Sequence, residues 1–215
     1  QARALVLQSG SSAGRDSAKV QFQTVLSKKA TGVQAAVAHY GLSVVYALDG
    51  DAAQAYAEAQ KAVQMAGRND VFLQKNLLQT RYAMAADKKP VLKEIAALAN
   101  DNPLSVMLAK TYIEDLYEQG MHEEILKYLK GQSAISQDNA DYFRYLARSS
   151  EALGRRSEAF RATGKMYALQ GDWKMAAYQF KQAQRVSDGD FFTMSEVDAD
   201  LREAEDHLKQ DKPHH

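Results

Sequence analysis

A small residue recurs along this chain at intervals close to 34, and that spacing limits what the chain can become. Gly50, Ala86, Gly120 and Gly154 are separated by 36, 34 and 34 residues, and Gly14 lies 36 before Gly50. Gly171 follows Gly154 by 17, half the period. A recurrence of this length is the signature of stacked helical hairpins, none of which can cover its own apolar face. Glycine suits the reversals because it adopts positive φ after a helix end. Three prolines in 215 residues, no cysteine and abundant Ala, Leu, Gln, Lys and Glu agree with helix throughout.

The segments between the small residues carry helical periodicity. Val33, Val37, Tyr40, Val44 and Leu48 precede Gly50, and Ala52, Ala55, Ala59, Ala62 and Val63 follow it. The second set is a stripe of small residues, which lets two helices approach closely. Phe72, Leu73, Leu77, Leu78 and Tyr82 lead to Ala86, and Val91, Leu92, Ile95 and Leu98 follow, with Pro90 in a first turn. Asn102-Pro103 marks a boundary. Helices are expected at roughly 104–119, 121–131, 139–153 and 156–170, the last serving both as the second helix of one hairpin and the first of the next. Residues 1–30 read as the end of a linker helix and an incomplete first repeat. Residues 31–187 form the array, 188–210 a capping helix and 211–215 a tail. The start at Gln1 implies a fragment or processed form, and His214-His215 are native or a purification-tag remnant.

The positions match the tetratricopeptide (TPR) pattern best from Phe160 to Ala183, through Gly164, Tyr167, Ala176, Phe180 and Ala183, with Trp173 after Gly171-Asp172. Leu42, Tyr46, Gly50-Asp51, Ala55 and Ala62 repeat it. The middle repeats fit less well, since Val91 and Ile125 replace the usual Ala. The expected fold is all-α, a TPR-like superhelical solenoid of antiparallel helix hairpins.

Chemical motifs are sparse. Basic and acidic residues number 27 each, so nothing favours nucleic acid. Without cysteine there is no disulfide, thiolate metal site or Cys nucleophile. His122-Glu123 is followed by Leu126 where a zinc-protease helix needs a second histidine, so His122 reads as a solvated helix start. His39 reads as packed or half-buried, and His207 as exposed. Ser149-Ser150 is assigned to a loop or helix surface, and Tyr142, Phe143 and Tyr145 to a hairpin core. No catalytic, cofactor or metal residue is expected. A partner groove is expected along the inner faces of the first helices: Tyr40, Val44, Asn76, Thr80, Lys110, Glu114, Tyr117, Arg144 and Arg148, continued by Arg161 and Lys165. Its basic members would attract an acidic or C-terminal peptide, with Glu114, Glu151 and Glu158 as internal competitors.

The run Glu151 to Phe160, then Tyr167 to Ala177, Asp190-Phe-Phe and Asp198 to Arg202, together with His39-Tyr40-Gly41-Leu42, resembles the C-terminal region of a bacterial family. These are the periplasmic zinc metalloproteases with a C-terminal TPR domain, typified by the beta-barrel assembly-enhancing protease. The resemblance implies a periplasmic location and a role in outer-membrane protein assembly and quality control. It implies a zinc-bearing His-Glu-x-x-His domain upstream of Gln1, with no zinc ligand and no enzyme activity in this chain. Protein or peptide partners would include the outer-membrane assembly machinery, its clients and the protease domain itself, with no nucleic acid and no membrane span. The rival expectation is a stand-alone TPR adaptor or envelope lipoprotein without a linked protease.

Overall fold

A computed structural model describes residues 10–67, 69–131, 135 and 137–210. The expected end of a linker helix at Gln1 to Leu7 and the tail at 211–215 lie outside these residues. Among the described residues the chain is all-helical, with eleven α-helices and no strand. Successive helices pack on one another within two compact units that meet in sequence at Asp101-Asn102. The N-terminal unit contains α1 (Ser12–Ser27), α2 (Gly32–Leu48), α3 (Ala52–Ala66), α4 (Val71–Met84) and α5 (Lys89–Asp101). The C-terminal unit contains α6 (Val106–Glu118), α7 (His122–Gly131), α8 (Ala140–Ala152), α9 (Arg156–Leu169), α10 (Trp173–Val186) and α11 (Phe191–Gln210).

The recurrent glycines end helices in one repeated way. Gly50, Gly120, Gly154 and Gly171 have φ between 67° and 80°. The N–H of the residue after each donates to the carbonyl five residues back: Asp51 to Tyr46, Met121 to Leu116, Arg155 to Ser150 and Asp172 to Tyr167. This left-handed cap satisfies carbonyls that the helix end would leave bare. Asp51 and Asp172 then cap the next helix, accepting from Gln54 and Met175 at 3.1 and 3.0 Å. A Gly-Asp pair therefore stops one helix and starts another. Two members of the recurrence differ. Gly14 sits in the first turn of α1, and α4 ends at Ala85 in extended backbone without a left-handed residue at Ala86.

Residues one repeat apart touch through side chains. Asn76 donates to Ser43 at 3.0 Å, and Lys19 pairs with Asp49 at 2.5 Å, where Arg15 also binds. In the other unit Tyr145 donates to Glu114 at 3.2 Å, Arg155 pairs with Glu123 at 2.6 Å and Arg161 with Glu196 at 2.5 Å. Arg15, Asn76, Tyr145, Arg155 and Arg161 lie 34, 33, 31, 32 and 35 residues from their partners Asp49, Ser43, Glu114, Glu123 and Glu196. The Lys19 and Arg15 contacts hold the Asp49 carboxyl below the usual carboxylate range. Exposed ion pairs contribute little net stability, so their value here is in fixing register.

The apolar interior is a series of local clusters, as stacked hairpins require. Phe22, Leu42 and Val45 join α1 to α2, while Ala36, Ala62 and Leu73 join α2, α3 and α4. Ile113, Leu116, Ile125, Leu129, Tyr142, Phe143 and Tyr145 fill α6 to α9, with Tyr142, Phe143 and Tyr145 in the core as expected. Ala176, Ala177, Phe180, Leu201 and Ala204 close α9 to α11. Helix α9 packs against both α8 and α10.

The start of α9 is held from a distance. Its N-cap Arg155 makes no side-chain cap bond. Instead the carboxylate of Asp188 accepts from the N–H groups of Arg156 and Ser157 at 2.9 and 2.7 Å. Ser157 Oγ donates to the Ala183 carbonyl at 3.0 Å and accepts from the Asp188 N–H at 3.2 Å. Desolvation opposes ionisation of Asp188, but the Ser157 and Arg156 hydrogen bonds win and hold its carboxyl below the usual range. A depressed carboxylate contributes stability above its unfolded pKa, near 3.9, and that contribution is lost as pH falls through the folded value. Asp188→Asn is expected to cost about 0.5–2 kcal/mol at pH 7, the range for a lost N-cap. Urea titrations should show the gap between the two proteins closing as the pH is taken below 4; a gap independent of pH would refute the charged cap.

Candidate functional site

The apolar stripe read before Gly50 does not pack in the core. Val33, Val37 and Leu48 are 74%, 43% and 55% exposed, and the buried face of α2 carries Ala35, Ala36, Ala38, Gly41, Leu42, Ser43 and Val45 instead. The small residues win the buried face because neighbouring helices come too close for larger ones. A Cβ on Gly41 would overlap the ring of Phe22. Tyr40, Val44 and Leu48 of the stripe line an open groove of about 620 Å³ in the N-terminal unit, and Val33 and Val37 stay exposed outside its lining.

Three helices shape this groove. Helix α2 supplies Tyr40, Val44, Ala47 and Leu48, α3 supplies Ala52 and Ala55, and α4 supplies Lys75, Asn76, Gln79, Thr80 and Ala83. Tyr40 leans on Phe72 with ring centroids 4.9 Å apart. Asn76 is oriented by its bond to Ser43, and Thr80 Oγ1 donates to the Leu77 carbonyl at 2.9 Å. Tyr40, Val44, Asn76 and Thr80, all named from the sequence, thus meet in one groove. Sequence reasoning missed Gln79 and the alanine floor, which carry no motif.

The N-terminal unit also buries an acid. Glu58 is held between His39 Nδ1 at 2.6 Å and Lys61 Nζ at 2.7 Å. His39 is the packed histidine expected, now with a partner. No nucleophile joins the pair, and no group of three or more His, Cys, Asp or Glu able to hold a metal occurs among the described residues.

The remaining residues named from the sequence lie in the C-terminal unit. Lys110 pairs with Asp141, which also binds Arg144 at 2.7 Å. Arg161 binds Asp200 at 2.6 Å and Glu196, and Lys165 reaches Asp200 at 3.2 Å and Glu203 at 4.0 Å. Four of the five basic residues therefore already have carboxylates: Asp141 of α8 serves Lys110 and Arg144, and the acids of α11 serve Arg161 and Lys165. Their competitors are Asp141, Glu196, Asp200 and Glu203. Glu114 instead accepts from Tyr145, and Glu158 from Ser150 Oγ at 2.9 Å.

Arg148 stands apart. Its guanidinium lies over the Tyr117 ring, 4.0 Å from the centroid, and pairs with no carboxylate among the described residues. Stacking on an aromatic face holds the guanidinium flat while its in-plane N–H groups remain able to bond an acceptor. Tyr117 in turn meets His122 edge to face at 5.1 Å.

Three readings of single residues change. His122 is half-buried with Nδ1 sealed from solvent, because the Gly120 reversal folds it back onto Tyr117. His207 stacks flat on Trp173, with centroids 3.8 Å apart, because α11 packs along α10. Ser149 and Ser150 are 1% and 0% exposed, since α8 is wedged between α7 and α9 and only small side chains fit there. Among the described residues no helix is long and apolar enough to cross a membrane. No family model and no curated protein matches the chain.

Proposed function

We propose that this chain is a protein-interaction scaffold of TPR type. On this proposal it is the non-catalytic half of a periplasmic zinc metalloprotease that serves outer-membrane protein assembly and quality control. The observation carrying the scaffold reading is the preformed groove over Tyr40, Val44, Asn76 and Thr80, an apolar face that the fold builds and leaves open. A rigid concave surface lowers the ordering cost of capturing a partner segment. Support for the linked protease is the resemblance running from Glu151 to Arg202. Zinc would belong to the upstream domain, and the gene must encode a His-Glu-x-x-His helix there. Without that helix, the stand-alone envelope adaptor is the better reading.

Photoreactive residues in place of Tyr40 and Tyr117 test the scaffold in periplasm-producing cells. Both positions should yield crosslinks to proteins of the outer-membrane assembly machinery or their clients, above a control at exposed Lys93. Arg148→Glu should cut the Tyr117 crosslink by about tenfold, the loss of one charged hydrogen bond, with helicity unchanged. Adding Arg144→Glu should matter little, because Arg144 is already committed to Asp141. Crosslinks no stronger than at Lys93 would end the scaffold reading.

A further inference from the structure

We propose that a pocket of the C-terminal unit takes an arginine side chain presented by a partner protein. Its aromatic and aliphatic walls hold the stem and the plane of the guanidinium, and two carboxylates of the lining, Asp138 and Glu203, accept the N–H groups. The proposal rests on the scaffold reading and names a ligand chemistry for a second place on the chain.

Size, walls and charge converge on this occupant. The pocket is open and measures about 240 Å³. Small-molecule sites run from roughly 300 to 1,000 Å³, so this one suits a single side chain rather than a cofactor. Helix α8 supplies Phe143, α9 Lys165 and Leu169, α10 Trp173 and α11 Glu203, while Asp138 comes from the segment before α8. Phe143 is held in the core, and His207 stacks flat on one face of Trp173, so both rings are fixed before a ligand arrives. Leu169 remains 45% exposed. Such walls grip the aliphatic stem of an arginine, and an indole attracts its planar cation. The sequence places the cations Arg161 and Lys165 in this region, but α11 reverses the sign. Arg161 is taken by Asp200 and Glu196 at 2.6 and 2.5 Å. Lys165 lies 3.2 Å from Asp200 and 4.0 Å from Glu203. Three carboxylates of α11 thus meet two cations. Asp138 adds a fourth, exposed, whose side chain makes no ion pair or hydrogen bond among the described residues. An anionic ligand would have to displace Asp200 from Lys165, whereas a cation finds Asp138 uncommitted and the Glu203 side chain 55% exposed. Arginine fits better than lysine because a guanidinium stacks on a ring while its in-plane N–H groups bond carboxylates, which a compact, strongly hydrated ammonium cannot do.

Trp173 is the only tryptophan of the chain, so its emission reports the pocket directly. The test titrates the full chain with a glycine- and serine-rich decapeptide that has a Leu-Arg-Leu centre. Two further peptides carry citrulline, the uncharged shape match of arginine, or glutamate in its place. The arginine peptide should shift the Trp173 emission saturably and bind about tenfold more tightly than the citrulline peptide, as a cation over an indole with a carboxylate partner allows. Asp138→Lys should abolish that preference, and Glu203→Gln should cut it by about two- to threefold. Both side chains are exposed, so circular dichroism should hold for each variant. Equal affinity for the arginine and citrulline peptides, or a preference that survives Asp138→Lys, overturns the assignment. Tighter binding of the glutamate peptide would put Lys165 in control of the pocket and overturns it as well. No response to any of the three overturns the pocket as a site. None of these results touches the crosslinks at Tyr40 and Tyr117, which decide the scaffold reading by themselves.

Discussion

Phe180→Ala is expected to destabilise the chain by about 3–5 kcal/mol, the range for emptying a large aromatic site in a packed interior. Phe180 is 1% exposed and belongs to the cluster of Ala176, Ala177, Leu201 and Ala204 that joins α9, α10 and α11. Its ring lies directly on Gly164, where a Cβ would overlap it. Three of its four buried cluster neighbours are alanines and the facing position is glycine, so that side of the void has no side chain to fill it. A cavity that cannot collapse keeps its full cost. Urea unfolding should report the loss as a lower midpoint at unchanged slope. A loss below about 1 kcal/mol would mean that α10 slides to close the gap, and that the Gly164 contact does not set the helix spacing.

Gly164 and Phe180 were legible in the sequence because both fall on positions where the repeat pattern demands one small and one large partner. The Gly-Asp reversals were legible for a similar local reason: a glycine with positive φ followed by a capping acid needs only neighbouring residues to specify it. What failed was the assignment of faces. Val33, Val37 and Leu48 repeat at helical spacing, yet periodicity cannot say whether an apolar stripe meets a neighbour or stays exposed. The decision was made by Gly41, Ala35, Ala36 and Ala38, which look weakly apolar but allow α1 and α3 to crowd against α2.

Charge pairing was equally hidden. Lys110, Arg144, Arg161 and Lys165 were placed on inner faces by spacing, but their acids come from the next helix of the row, some 30 to 40 residues on except for Arg144. Asp188 caps α9 from 31 residues away. Such contacts depend on how far successive repeats are offset, a quantity that single-residue spacing does not carry. The net result is less free positive charge on these helices than their sequence suggests. Arg148, stacked on Tyr117, is the basic side chain of the set that keeps no carboxylate of its own among the described residues.

The last expectation concerns the small-residue stripe itself. Ala59→Leu and Ala176→Leu should each destabilise by about 1–3 kcal/mol, although leucine is the more apolar residue and nearly as good a helix former as alanine. Both alanines are 0% exposed. Ala55, Ala59 and Ala62 form one buried edge of α3, and α2 rests against that helix through residues as small as Ala36. Three added carbon atoms have no void to enter, so the helices must separate or the side chain must leave its rotamer well. Separation would also widen the groove, because α3 supplies its Ala52 and Ala55 floor. Ala59→Leu should therefore lower both the thermal midpoint and the affinity for a groove-bound peptide, whereas Ala176→Leu, confined to the C-terminal unit, should lower the midpoint alone. If both variants bind equally well, the floor is not set by the contact at Ala59; if neither midpoint moves, close approach of small residues is not what holds the hairpins together.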